Sequence, residues 1–309
     1  MLKNLLKPAM LFLPFLLGLA FPEAHILGKA PYHLVRWALI VMVFLAALQL
    51  QFRDMRFRKE HFKSLILNFA MALLPYLFVR IFFPEEKLLS EILFFTGITP
   101  TATAAPVVTG LLNARIGFAL TGFVLSNVAI ALSLFLLLPF VTGNYTFSFL
   151  LNVGWTLLLV VAFPMGAAIL AKRVFPSLPA LAKKNKLVSL FLWSFCLFIM
   201  AATAGEYFRK QEKSALLMVL LAGGLTLVIC FCNFFFGRII ARKKYARETS
   251  QISGQKNTTF SMYLALAYAS SPAAALGPIF YILWHNLWNA YQIWRYEARR
   301  GKREKISPR

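Results

Sequence analysis

The sequence predicts an all-α polytopic membrane protein of ten transmembrane helices, arranged as two inverted five-helix repeats. Three observations carry this. Of 309 residues, 60% are hydrophobic and only 14% charged, with 31 Phe, whereas soluble domains carry about 25% charged residues. The apolar residues gather into ten runs, each near the ~20 residues that cross a bilayer core. Two of those runs, the fourth in each set of five, are interrupted by helix-breaking residues in matching places.

The runs fall near 6–22, 32–51, 63–83, 88–113, 116–141, 147–171, 187–205, 214–236, 247–270 and 273–295. The first has the Lys-then-apolar look of a signal peptide; it is expected to be kept as a helix. Basic residues cluster in alternate gaps: Arg53, Arg56, Arg58, Lys59 and Lys63; Lys172, Arg173, Lys183, Lys184 and Lys186; Arg238, Arg242, Lys243, Lys244 and Arg247. A tail over 296–309 is also basic, while the intervening gaps are uncharged or balanced by Glu85 and Glu86. Positive residues stay on the cytoplasmic side, which puts both termini in the cytoplasm and the chain in the inner (plasma) membrane. The same distribution argues that the net charge of +22 reflects topology and not nucleic-acid binding.

Five helices per set is an odd number. The set over 1–141 therefore starts inside and the set over 142–295 starts outside, so the two are inverted if they are related. Secondary transporters are often built in this way. Cys196, Cys230 and Cys232 all sit in apolar runs, which suits reduced packing residues. No metal-ligand spacing, cofactor motif or His/Asp or Ser/His constellation points to an enzyme.

The breaks are the informative feature. The fourth run reads LLSEILFFTGITPTATAAPVVTGLLNAR, with Gly97, Pro100 and Pro106 inside it. Prolines remove amide donors and obstruct a continuing helix. The ninth reads RETSQISGQKNTTFSMYLALAYAS, interrupted from Gly254 to Thr259. Arg247 to Lys256 spans about 13 Å of helix, which places Lys256 near the middle of a core about 30 Å thick. Non-helical backbone is tolerated there only when it is buried in protein or lines a watery cavity. Such breaks expose carbonyls and helix-end amides that bind ions and polar substrate groups.

These residues resemble the bile acid:sodium symporter family, in a divergent bacterial-type form. The carriers are GITP in the fourth helix, the G-x-x-N of Gly254 to Asn257 in the ninth, and WHN, Trp284 to Asn286, in the tenth. The resemblance implies a panel domain and a core domain, with helices four and nine crossing at their breaks. It also implies sodium-driven uptake of organic anions. The chain departs from the family pattern where sodium would be held. Gly-Gly becomes Thr101-Ala102, Ser-Asn becomes Ala105-Pro106, the sodium-binding Glu falls on Ile252 and the Gln before Asn257 falls on Lys256. Sodium coupling is therefore doubtful and proton coupling is possible.

Two readings of Lys256 stand side by side. It replaces a sodium as a tethered cation, or it snorkels to cytoplasmic phosphates. Glu248, one turn before Ile252, is placed to compensate for the lost carboxylate, and Glu91 is expected to be hydrated. The expected substrate and ion-binding residues are Thr99, Thr101 and Thr103; Gln255, Lys256, Asn257 and Thr258; and Asn68, Asn127 and His285. Ser126 and Asn127 either face the crossing or make an interhelical hydrogen bond. The expected activity is transport of a small organic anion, such as a carboxylate. The alternatives are a cation/proton antiporter of related architecture and a non-transporting sensor.

Overall fold

The computed structural model describes residues 13–29, 32–49, 55–184, 186–210, 214–241 and 244–306. The expected start of the first helix, together with Arg53, Arg242 and Lys243, lies outside them. The described residues are all-helical apart from one isolated bridge. The helices are α1 (13–20), α2 (Leu34–Leu48), α3 (Lys59–Phe82), α4 (Lys87–Gly97), α5 (Ala104–Leu111) and α6 (Ile116–Thr142). There follow α7 (Phe147–Val174), α8 (Leu178–Lys184), α9 (Lys186–Lys210), α10 (Ser214–Ile240), α11 (Ala246–Gly254), α12 (Thr258–Tyr268) and α13 (Leu276–Ile306).

Four of these are long and apolar enough to cross a membrane: Lys59–Phe82, Ile116–Thr142, Phe147–Val174 and Leu216–Ile240. Their outward faces are apolar: Leu132, Leu136 and Phe147 are each more than 70% exposed. Water-soluble monomers rarely present such surfaces, so this is the exterior of an α-helical protein built for lipid. Polar punctuation ends the helices. Gly143, with φ of 73°, closes α6 and donates to the Pro139 carbonyl, a left-handed stop that glycine adopts without strain.

Two packing groups result. In one, α2, α7 and α9 pack together with a 3-10 turn over Pro22–Gly28. In the other, α3 to α6 pack with α10 to α13. α7 carries a π-turn over Leu158–Ala162 just ahead of Pro164. The proline lacks the amide needed for regular helix, and such a bulge absorbs the mismatch. The basic tail differs from expectation, since α13 continues as helix to Ile306. α8 was not anticipated either; it is a single short stretch between two apolar runs.

Candidate functional site

Between α4 and α5 the chain leaves the helix over residues 98–103, and between α11 and α12 over 255–257. The two gaps meet face to face as an antiparallel bridge of Thr101 with Lys256. Ala102 N donates to the Gln255 carbonyl at 2.9 Å, and Asn257 N donates to the Pro100 carbonyl at 2.7 Å. Pro100 explains part of this. Having no amide itself, it offers only a carbonyl, and Asn257 supplies the donor.

Close approach requires glycine on both sides. A Cβ on Gly97 would strike the Met71 carbonyl and Ala72 of α3, and one on Gly254 would strike the Phe234 ring of α10. The last carbonyl of each half-helix is then capped from elsewhere. Lys256 Nζ lies 3.3 Å from Gly97 O, and the Tyr281 hydroxyl donates to Gly254 O at 3.0 Å. Lys256 is only 2% exposed and has no carboxylate partner among the described residues. Its ammonium sits at the negative end of the α4 dipole. Snorkelling out of the protein is thus not what this side chain does.

Several expected site residues are engaged in satisfying this buried backbone. Asn68 Nδ2 donates to Thr99 O at 3.3 Å, and the Thr99 hydroxyl turns back to the Phe95 carbonyl. Thr101 donates from its amide to Ser126 Oγ at 3.0 Å and from its hydroxyl to Ile252 O at 2.7 Å. Asn127 Nδ2 donates to Thr101 O at 2.9 Å. Gln255 donates to the Gln251 side chain, and Thr258 accepts from Ser261. The bonds to the Thr99, Thr101 and Ile252 carbonyls and from the Thr101 amide replace ones the interrupted helices have lost, as a water-free interior requires.

The cavity lies on the other side of the crossing. It measures about 300 Å³ and opens between the two packing groups. Thr103, Asn127 and Asn257 line it together with Gln49 and Ser189. Apolar walls come from Leu39 and Val43 of α2, Phe123 of α6, Phe260 of α12, and, in α7, Val161 within the π-turn and Met165 just after it. Thr103 and Ala104 at the start of α5, and Asn257 at the start of α12, all reach this space. Of the ten expected residues, three face the cavity. Six build the crossing or its hydrogen bonds. His285 belongs to neither; it is buried edge-on against Tyr281 at 5.6 Å.

Where the family pattern would place a carboxylate, Ile252 fills the space against Gly122, whose Cβ would collide with it. Beside it a cavity of about 10 Å³ is lined by Ser64, Asn68, Thr101 and Ser126, room for about one water. Glu248 Oε1 accepts from Arg115 N at 3.1 Å, at the start of α6. Glu91 is fully buried, contrary to the hydrated placement expected. Its Oε2 accepts from Ser270 N at 2.9 Å and Ser270 Oγ at 2.7 Å, just past the end of α12. Both carboxylates were legible as charges within apolar runs, but their partners lie far along the chain. Gln251, fully buried between Gln255 and Gln292, was missed because Gln292, which holds it, lies 41 residues along the chain. Compared with protein-family models and with curated proteins, the chain matches none.

Proposed function

We propose that this chain is a secondary transporter of a small organic anion, working by alternating access and resembling bile acid:sodium symporters. Its ten spans would form two inverted five-helix repeats, 1–141 and 142–295, with both termini cytoplasmic. The observation that carries the proposal is the cavity of about 300 Å³ bounded by both helix breaks and by the group of α2, α7 and α9. A site between two bodies can open to either side when they move relative to one another. The starts of α5 and α12 present their positive dipole ends to it, which favours an anionic group. The apolar walls favour an aliphatic or aromatic body on that anion.

Lys256 stands in this reading as a tethered cation at the crossing, in place of a bound sodium. Ile252, Ala105 and Pro106 offer no side-chain oxygen at the remaining family positions. Transport is then independent of sodium and open to proton coupling. The antiporter alternative calls for a carboxylate at the crossing; Glu91 and Glu248 are instead turned to backbone amides. The test is uptake of labelled carboxylates by proteoliposomes, with sodium and pH varied independently. Uptake unaffected by sodium supports the reading. Strict sodium dependence refutes the tethered-cation part, and no carboxylate uptake under any gradient refutes transport of this class.

A further inference from the structure

A second, larger groove of about 540 Å³ lies among α10, α11 and α13, away from the cavity described above. α10 and α13 run side by side in the same direction: Trp284 Nε1 donates to Gly223 O at 3.0 Å, and further along Phe231 packs on Trp288 at 6.0 Å; beyond the end of α10, Arg247 of α11 lies over Tyr296 at 5.4 Å. The groove is accordingly two-ended. Phe231, Phe235 and Trp288 form an aromatic lane, and Arg238, Arg247, Arg295 and Arg299 gather at the other end. Among the described residues no Asp or Glu lines it.

The basic end has donors to offer. Arg247 gives one N–H to the Leu112 carbonyl and Arg295 one to the Tyr291 hydroxyl, and each guanidinium has five. Trp288 Nε1 and Gln292 Nε2 are buried donors without partners. The aromatic lane is continuous with the outward apolar face, where Phe231 is 48% and Phe235 46% exposed. Clustered arginines at the end of apolar helices are where acidic headgroups bind, and guanidinium pairs phosphate through two parallel hydrogen bonds.

We propose that this groove holds an acidic phospholipid. Its phosphate lies among Arg238, Arg247, Arg295 and Arg299, and its acyl chain follows Phe231, Phe235 and Trp288. A small free anion would use only the basic end; a zwitterionic lipid would bring its own cation to the arginines. Only an anionic amphiphile answers both ends.

The test uses the purified full chain in phosphatidylcholine vesicles containing phosphatidylglycerol with brominated acyl chains, which quench nearby Trp fluorescence. The Trp288 signal is taken as the difference from Trp288→Phe. Brominated phosphatidylglycerol is expected to quench it at a mole fraction lower, by about fivefold or more, than brominated phosphatidylcholine. Arg238→Gln with Arg299→Gln is expected to erase most of that preference, while Arg238→Lys with Arg299→Lys retains part of it. Equal quenching by the two lipids overturns the proposal. So does displacement of the brominated lipid by soluble glycerol phosphate, which would mark a free-anion site. The lipid comparison on the unaltered chain stands even if the Gln variant fails to fold.

Discussion

Glu91 and Glu248 hold equivalent posts in the two broken helices. Each lies the same distance before the glycine that closes its half-helix, and each reaches a backbone amide beyond the far half of the other pair: Ser270 N for Glu91, Arg115 N for Glu248. The α4 carboxylate thus anchors the exit of α12, and the α11 carboxylate anchors the exit of α5. The crossing is held at its centre by backbone and at both ends by charge.

Removing either anchor should destabilise the fold. Glu91→Ala removes a fully buried carboxylate that accepts from both Ser270 N and Ser270 Oγ, and hydrogen bonds to a charged group contribute about 1.5–3 kcal/mol each. Glu248→Ala gives up a single bond, the one from Arg115 N, and should lose less. Thermal unfolding in detergent checks both. An unchanged midpoint for Glu91→Ala would show that the contact is not used.

Gly122 and Ile252 should behave as a coupled pair. Gly122→Ala drives a methyl into the Ile252 side chain, an overpacking expected to cost about 1–3 kcal/mol. Ile252→Val removes the nearest atom and should cost about 1 kcal/mol alone. Combined, they should lose less than their sum, by at least ~0.5 kcal/mol. Simple additivity in a double-mutant cycle would deny the contact.

Lys256 separates charge from hydrogen bonding. Lys256→Met leaves the Gly97 carbonyl without its donor, and should lower both stability and uptake. Lys256→Arg keeps a cation in a bulkier form that is not equivalent, so partial uptake is expected. The proposed role fails if Lys256→Met transports at the unaltered rate in proteoliposomes.

Filling the cavity should stop transport without unfolding. Thr103 is exposed into that space and its side chain caps nothing, so Thr103→Trp can occupy it at little structural expense. Uptake should fall at least about tenfold, with the unfolding midpoint within the small range typical of surface substitutions. Full activity in this variant would move the substrate path elsewhere.

Much of this was legible in the sequence for one reason: apolar length and proline/glycine interruptions are local signals. The interrupted runs at 88–113 and 247–270 correspond to α4 with α5 and α11 with α12. What stayed hidden depends on pairing across the chain. Thr101 and Thr103 look alike as polar residues in a broken helix, yet one is buried in the hydrogen bonds of the crossing and the other is exposed into the cavity. No periodicity distinguishes them. Glu91 read as a hydrated residue because Ser270, which takes up its carboxylate, sits 179 residues away.

That separation also bears on how the molecule is made. The hydroxyl of Thr101 and the carbonyl of Ile252 are 151 residues apart, so the first interrupted helix leaves the ribosome long before its partner exists. Until the second arrives, the Ala102 amide and the Pro100 carbonyl have no mate. A nascent chain stopped before Gln255 would leave these backbone groups unpaired. The crossing can therefore close only after the second broken helix has been synthesised.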